Sequence, residues 1–310
     1  MFYANPNYNL INFGVINLHH YPCTMKIKFI ICLLLFPLFL LAQNVQEPND
    51  TPKEWSAPYA PFRIAGNVYY VGTYDLACYL ITTSKGNILI NTGLSSSAAQ
   101  IKKNVGLLGF NFKDIKILLT TQAHYDHLGA MAEIKKLTGA KMMVDEKDAA
   151  VMKDGGKSDY ALGNGKTTYA PITPDRLLKD GDRIQLGNTS IVMLHHPGHT
   201  KGSCSFMLHT KDEKRVYSVL IANMPSIVTE KKFSEIPAYP QIEKDYAYTL
   251  NSLKNLSFDI WLSSHASQFG LHEKHKPGDQ YNPAAFFDRK GYDQVLNGLQ
   301  LEFDKKIGKK

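Results

Sequence analysis

Short apolar runs rich in Val, Ile, Leu and Tyr alternate along the chain with stretches whose apolar positions recur at helical spacing. Gly, Asn and Pro separate many of these runs, which is typical of turns between strands and helices. The pattern predicts strands over residues 68–71, 77–82, 88–90, 115–120, 141–144 and 258–262, hairpins over 183–194 and 203–222, and a hairpin turn over 85–87. It predicts helices over residues 98–108, 128–137, 146–152, 242–253 and 283–306.

Strands are followed by helices twice along the chain, and this order predicts an α/β fold. We expect two mixed sheets that face each other, with helices on the outside. No linker or low-complexity tract interrupts residues 43–310, so we predict one domain there. Residues 43–61 are polar and Pro-rich, which indicates an extended arm. Residues 155–169 are rich in Gly, Lys and Tyr without periodicity, which indicates an irregular loop near the mouth of a site.

One polar segment concentrates candidate chemistry. It follows the apolar run 115–120 and precedes the predicted helix 128–137, and it reads Gln122-Ala123-His124-Tyr125-Asp126-His127. Imidazole nitrogens and carboxylate oxygens are the usual ligands of a catalytic zinc ion. Because a zinc ion takes three or four protein ligands, this loop alone cannot complete two sites. Two later segments, each after a predicted strand, supply further histidines, His199 and His265.

Together these segments resemble the metallo-β-lactamase superfamily, whose first segment usually reads His-x-His-x-Asp-His. This chain has Gln122 where the family usually has the first His. That departure, with the segments Pro-Gly-His-Thr-Lys-Gly-Ser at 197–203 and Ser-Ser-His-Ala-Ser-Gln-Phe at 263–269, resembles the Gln-variant, GOB-like branch of subclass B3. The resemblance runs from about Pro52 to the C-terminal helix. It implies a four-layer αβ/βα sandwich.

The resemblance also implies up to two zinc ions. The first would be bound by Gln122, His124 and His199, and the second by Asp126, His127 and His265. A carboxamide oxygen is a weaker zinc donor than an imidazole nitrogen, and the first ligand set carries no charge. We therefore expect the second site to bind zinc more tightly.

The activity that the resemblance implies is zinc-dependent hydrolysis of the β-lactam amide bond of penicillins, cephalosporins and carbapenems, which gives antibiotic resistance. Asp126 would act together with a zinc-activated water. Ser226 matches a position that contacts the substrate carboxylate, although a turn serine after Pro225 explains it equally well. Met224 stands where many relatives have Ser.

Two further residues are predicted to support the site without binding metal. Asn91 stands where the superfamily typically has Asp, which predicts a neutral hydrogen bond behind the metal loop. His196 precedes Pro197-Gly198 and is predicted as a packing or supporting group. His195 is predicted, like His196, as a packing or supporting group, whereas His209, His272 and His275 are predicted as surface residues.

Three other functions remain open from the residues alone. The first is another hydrolase of the same superfamily, a lactonase or a glyoxalase-type thioesterase. The second is a redox di-iron protein on the same scaffold, which would need Glu where Tyr125 stands, and a flavin domain. The third is a non-catalytic zinc-binding protein. Fold alone does not decide among them.

Residues 25–42 have the pattern of a secretory signal, with Lys26 and Lys28 before an apolar core and Ala42 at a plausible cleavage position. The core is too short for a comfortable transmembrane helix. Residues 1–24 lack a targeting pattern and are predicted as a disordered, over-extended start, with Met25 as the initiator. We therefore expect a periplasmic protein without a membrane association after cleavage.

The chain carries a formal net charge of +7, but its lysines and arginines are scattered, so no nucleic-acid partner is indicated. The charge could attract an anionic β-lactam or simply belong to a solvated surface. Cys78 and Cys204 lie in apolar, strand-like runs, where a buried thiol is the common outcome, although a disulfide remains an alternative. We expect a monomer.

Overall fold

A computed structural model describes residues 45–309 of the chain. The predicted segments 1–24 and 25–42 lie outside the described residues, so the division into a start, a signal and one domain stays a prediction. Within the described part, no helix has the length and apolar character needed to cross a membrane.

The first sheet has seven strands that follow one another in chain order. They are β1 (Phe62–Ala65), β2 (Val68–Tyr70), β3 (Tyr79–Thr83), β4 (Gly86–Ile90), β5 (Ile115–Leu119), β6 (Lys141–Asp145) and β7 (Arg176–Leu178). Strands β1 to β4 pair antiparallel, and β4 to β7 pair parallel. The parallel strands end at the same edge of the sheet, where loops commonly form ligand sites.

The second sheet has five strands in the order β12-β11-β10-β9-β8. They are β8 (Arg183–Leu186), β9 (Thr189–His195), β10 (Cys204–Lys211), β11 (Val216–Ala222) and β12 (Ile260–Ser263). Strands β8 to β11 are antiparallel neighbours, whereas β11 and β12 are parallel. Both sheets are therefore mixed, as predicted.

Side chains of β4 and β5 alternate between two buried layers. Ile88 and Ile90 of β4 join the cluster that also holds second-sheet residues such as Phe206, whereas Leu89 joins a separate cluster. Because successive side chains of a strand point to opposite faces, one face of the first sheet packs on the second sheet and the other packs on helices. The predicted four-layer αβ/βα sandwich is confirmed.

The helices complete the two outer layers. They are α1 (Ser97–Leu107), α2 (Tyr125–Leu128), α3 (Met131–Thr138), α4 (Ala149–Lys153), α5 (Ile242–Lys254), α6 (Leu271–Lys274) and α7 (Arg289–Lys306). Residues of α1 and α3 lie in the cluster with Leu89, and residues of α5 and α7 lie in the cluster with Phe206.

The predicted helix 128–137 was wrong at its start, because α2 already begins at Tyr125 and a break separates it from α3. Gly129 lies at this break, where a Cβ atom would come within 2.3 Å of the backbone nitrogen of Ser95. Two backbones therefore pack closely at this break, and the chain leaves the helical conformation at Ala130, with φ −88° and ψ 0°. As a result, Asp126 and His127 lie on a helical turn rather than in a loop.

Three smaller differences concern the first sheet and the arm before it. The turn between β3 and β4 is Ser84-Lys85 rather than residues 85–87, because Thr83 pairs with Gly86, whose φ of +115° suits glycine. Strands β1 and β7 were not predicted, and both are short. The arm contains a 3-10 turn at Lys53–Trp55.

Both described cysteines are buried free thiols, so the predicted buried thiols are confirmed over the disulfide alternative. The Cys204 Sγ donates to the carbonyl oxygen of Thr120 at 3.4 Å. Burial raises the pKa of the Cys78 thiol well above its ordinary value, which keeps the thiol protonated and unreactive.

Candidate metal centre

The polar segment after β5 opens onto a cavity of about 250 Å³. The loops that follow β9, β11 and β12 contribute to the same cavity, since each follows a strand that ends on this side. The cavity is lined by Trp55, Gln122, His124, Tyr125, Asp126, Leu162, His199, Asn223, Met224, Ser226, Val228, Ser264, His265 and Gln268. Segments that are distant in sequence therefore meet here.

Asp126, His127 and His265 form the tightest cluster of possible metal ligands. One ligand atom from each lies within 4.8 Å of the others. The Asp126 Oδ2 lies 3.2 Å from His127 Nε2 and 3.3 Å from His265 Nε2. Burial by itself would raise the pKa of Asp126, but His127 and His265 outweigh it and hold that pKa well below its usual range. Asp126 is therefore ionised at neutral pH.

A second carboxylate, which we did not predict, orients His265. The Asp75 Oδ2 lies 2.9 Å from His265 Nδ1, and the Asp75 Oδ1 accepts a hydrogen bond from the Ser267 backbone at 2.8 Å. The opposite ring nitrogen, Nε2, is thereby directed at Asp126. A carboxylate behind a histidine ligand is common in metal sites because it sets the tautomer and the ring orientation.

Gln122, His124 and His199 lie on the other side of the cavity. The imidazole rings of His124 and His199 have centroids 4.9 Å apart. The His199 Nδ1 donates to the carbonyl oxygen of Ser226 at 2.8 Å, which leaves Nε2 for another partner. Burial, helped by His124, lowers the pKa of His199 to about 3, so the ring is neutral at physiological pH.

The buried carboxylate of Asp148 joins the two loops that carry these residues. It accepts hydrogen bonds from the backbone of Ala123 at 3.0 Å, from the Thr200 hydroxyl at 2.6 Å and from the backbone of Gly202 at 2.7 Å. Ala123 lies between Gln122 and His124, and Thr200 follows His199. The sequence contains no local signal for this role, because Asp148 lies outside all three segments.

Asn91 lies behind the metal loop, with its Oδ1 accepting from the backbone of Thr121 at 3.0 Å. Its φ is +61°, a left-handed conformation that asparagine tolerates better than most residues. His196 lies further away. Its ring nitrogens contact the hydroxyls of Ser205 at 2.7 Å and Ser252 at 3.1 Å, and the Ser205 hydroxyl accepts from the backbone of Asn223, which lines the cavity.

Met224 and Ser226 both line the cavity. Met224 is almost fully buried, and its thioether presents an apolar surface. The Ser226 carbonyl oxygen accepts from His199 and also from the Tyr246 hydroxyl at 3.0 Å. The Ser226 hydroxyl lies 3.3 Å from His199 Nδ1 and borders the open space of the cavity.

Trp55, in the arm before β1, forms a wall that the sequence did not reveal. Its ring centroid lies 5.3 Å from that of His265 and 6.3 Å from that of Tyr125. The backbone carbonyl of Glu54 accepts a hydrogen bond from Asp75 at 3.1 Å, which holds the arm in place. The sequence feature that could have indicated this wall is a large aromatic residue within an otherwise polar, Pro-rich stretch.

The buried polar atoms fit a divalent metal. Both ring nitrogens of His127 are buried without a well-formed hydrogen bond. A buried polar atom without a partner is costly, and metal coordination would satisfy it. The donors are imidazoles, a carboxylate and a carboxamide, a set that suits zinc.

The comparisons with known proteins agree with this architecture. The Lactamase_B family profile, described as the metallo-beta-lactamase superfamily, matches residues 72–218. The class B3 di-zinc metallo-beta-lactamase LRA-12 from an Alaskan soil metagenome is 68% identical, with 84% of this chain and 99% of that chain covered and a TM-score of 0.84. The metallo-beta-lactamase GOB-18 from Elizabethkingia meningoseptica is 61% identical, with 87% and 100% covered and a TM-score of 0.86. The chain belongs to the metallo-β-lactamase superfamily and, within it, to class B3.

Curated relatives are more distant. The acyl-coenzyme A thioesterase MBLAC2 of Homo sapiens is 25% identical over 183 residues, which are 52% of this chain and 63% of that protein. The matches span about three fifths of the length of the first curated relatives, from 59% to 63% for the first three.

Proposed function

We propose that the protein is a zinc-dependent β-lactamase that hydrolyses the β-lactam amide bond and gives resistance to penicillins, cephalosporins and carbapenems. The observation that carries the proposal is the 68% identity, over 99% of its length, to a class B3 di-zinc metallo-β-lactamase. The convergence of imidazole, carboxylate and carboxamide side chains on one cavity supports it.

Two zinc ions are proposed. The first would be held by Gln122, His124 and His199, and the second by Asp126, His127 and His265. When bound, zinc lowers the pKa of a coordinated water to about 7 and polarises a carbonyl oxygen. The chain itself supplies the ligand geometry, through the carboxylates behind the histidines and the hydrogen bonds that orient them.

Asp126 is proposed as the catalytic carboxylate. Its pKa lies well below the usual range, so it stays ionised and can both hold metal and accept a hydrogen bond from the attacking water. Its position on α2, which the five residues 120–124 separate from the buried strand β5, fixes it relative to the ligands on either side. No covalent bond to the protein is needed in this reaction.

Ser226 and Met224 are proposed to contact the substrate. Among the described lining residues there is no Lys or Arg, so the hydroxyl of Ser226 is a candidate partner for the substrate carboxylate. Met224 cannot donate a hydrogen bond and would offer only an apolar contact. Asn91 and His196 are proposed to support the site from behind, through the hydrogen bonds of their side chains.

The test is nitrocefin turnover by the purified protein with bound zinc, after removal of zinc with a chelator, and after zinc is returned. We expect turnover that disappears with the chelator and recovers with zinc. Asp126→Ala should lose activity by at least about a thousandfold, in line with the loss of a preorganised catalytic group. Absence of turnover with two bound zinc ions would instead support a non-catalytic zinc protein.

A thioesterase activity is the alternative that the curated relatives favour, because MBLAC2 is named an acyl-coenzyme A thioesterase. The same preparations should therefore be assayed with an acyl-coenzyme A, a glutathione thioester and a lactone. A kcat/KM for any of these above that for every β-lactam tested would replace the β-lactamase proposal.

Export to the periplasm and a monomeric state are part of the proposal. The support for export is the pattern of residues 25–42, a charged start, an apolar core and Ala42. Cell fractionation with N-terminal sequencing tests the export and the expected start at Gln43. Light scattering on the purified protein tests the monomer.

A further inference from the structure

The two proposed zinc sites differ in charge. Gln122, His124 and His199 bring no negative charge to the first site, whereas Asp126 brings one to the second. A buried dication is stabilised by nearby negative charge, so a neutral ligand set leaves the first site at a disadvantage.

A carboxylate outside the ligand set approaches the first site. The Asp159 Oδ2 lies 3.4 Å from His124 Nε2, and both side chains are buried. No well-formed hydrogen bond joins the two atoms, since Nε2 has no hydrogen-bond partner among the described residues. The charge of Asp159 therefore faces the ring edge of His124 directly.

The turn around Asp159 holds its carboxylate in this orientation. The Asp159 Oδ1 accepts from the backbone of Ala161 at 2.9 Å and of Leu162 at 2.7 Å, which leaves Oδ2 to face His124. Gly163 closes the turn so tightly that a Cβ atom there would lie 2.5 to 2.7 Å from three carbonyl oxygens. Backbone hydrogen bonds within the turn therefore fix the orientation of the Asp159 carboxylate.

The next residue of the same turn contacts the other histidine of the first site. The Tyr160 hydroxyl donates to the carbonyl oxygens of Gly198 and His199, each at 3.1 Å. Leu162, two residues further, lines the cavity. One short turn therefore contacts both histidines of the first ligand set.

We propose that Asp159 is a positioning residue for the first zinc site, which supplies behind His124 the negative charge that Gln122 does not supply as a ligand. With Nε2 facing Asp159, Nδ1 is the ring nitrogen left to bind metal. A carboxylate beside the far nitrogen also makes an imidazole a stronger donor. This inference rests on the ligand assignment of the proposed function.

The test compares Asp159→Asn with the matched variant Asp75→Asn, which removes the charge behind His265 in the second site. Dissociation constants for zinc at each site are measured by competition with a chromophoric chelator, and visible absorption follows Co²⁺ binding at each site. We expect Asp159→Asn to weaken the first site about 10- to 100-fold and to change the second by less than about threefold. Asp75→Asn should weaken the second site about 10- to 100-fold and change the first by less than about threefold.

A double variant distinguishes a first site that is weakened from one that is misfolded. Gln122→His supplies a stronger ligand, so Gln122→His with Asp159→Asn should recover at least about tenfold of the lost first-site affinity. Three outcomes would overturn the proposal: first-site affinity unchanged in Asp159→Asn, both sites weakened equally, or no recovery in the double variant. An Asp159→Asn protein that is unfolded without zinc would likewise overturn it, by assigning Asp159 to folding.

Failure of the proposed β-lactamase function would be distinguishable from failure of this inference. Nitrocefin turnover by the unmodified protein tests the function, whereas the zinc affinities are measured without substrate. Wild-type protein that binds two zinc ions without turnover would leave the comparison of Asp159→Asn with Asp75→Asn fully interpretable.

Discussion

Asp148 accepts a hydrogen bond from the Thr200 hydroxyl at 2.6 Å, although 52 residues separate them in the chain. The same carboxylate accepts from the backbone of Ala123 and Gly202. The segment that carries Gln122 and His124 is thereby tied to the segment that carries His199. Burial raises the pKa of Asp148 to about 6, despite the hydrogen bonds from Thr200 and Gly202 that lower it, so the carboxylate is ionised at neutral pH.

Replacement of Asp148 by Ala should therefore destabilise the protein strongly. Three buried donors would lose their acceptor, at about 1 to 3 kcal/mol for a buried unsatisfied group. We expect the free energy of unfolding of the zinc-free protein to fall by at least about 3 kcal/mol in urea denaturation. Glu146→Ala, at a more exposed acid of the same segment, should change it by less than about 0.5 kcal/mol. Equal effects of the two variants would contradict the role assigned to Asp148.

The weak donor Gln122 leads to a prediction about zinc loading. In a titration of the zinc-free protein, the first equivalent should occupy the site of Asp126, His127 and His265, because that site includes a charged ligand. Gln122→His should raise the zinc affinity of the first site by at least about tenfold and leave that of the second site unchanged. Equal affinities in the wild-type protein, or first-site occupation alone, would show that the ligand argument is wrong.

Trp55 should influence substrate binding more than turnover. Its ring packs beside His265 and forms part of the cavity wall, without a hydrogen bond to any proposed ligand. We expect Trp55→Ala to raise KM for nitrocefin about tenfold, near the 1.4 kcal/mol of a lost aromatic contact, with kcat changed less than about threefold. Trp55→Phe keeps an aromatic face and should stay within about threefold in KM. A large fall in kcat with KM unchanged would refute this role.

A contact between the two sheets should make stability depend on pH. The His195 Nδ1, at the end of β9, lies 2.7 Å from Asp145 Oδ2, at the end of β6. Burial alone would lower the pKa of His195, but the hydrogen bond and charge of Asp145 outweigh it and raise that pKa. A raised histidine pKa stabilises the fold at pH values below the unfolded value of about 6.5, and the stabilisation is lost as pH rises through the folded value.

His195→Asn should therefore cost more stability in acid than in base. We expect the loss in free energy of unfolding to be about 1 kcal/mol larger at pH 5.5 than at pH 9, because the ion pair with Asp145 exists only when His195 is protonated. His209 is exposed, so His209→Asn should change stability by less than about 0.5 kcal/mol at either pH. A loss that is the same at both pH values would exclude a charged His195.

Local sequence was enough to predict most of the fold. Strand β5 and the hairpin of β8 and β9 are apolar runs bounded by polar or Gly-containing turns, so neighbouring residues carry the signal. The start of α2 was missed because the apolar helical pattern begins only near Leu128, after the polar residues Asp126 and His127. Strand β7 has only three residues, two of them exposed, which is too short for a pattern of apolar positions.

The sequence by itself determined the candidate metal-binding side chains, because ligand chemistry belongs to the residue type and each His or Asp stands in a recognisable short segment. Only the tertiary structure decided which groups lie behind them. Asp75 reaches His265 across 190 residues, and Asp148 and Asp159 meet their partners through folded loops. A carboxylate acts on a ligand through distance and orientation, and these depend on how the two sheets and their loops pack, which no local stretch of sequence encodes.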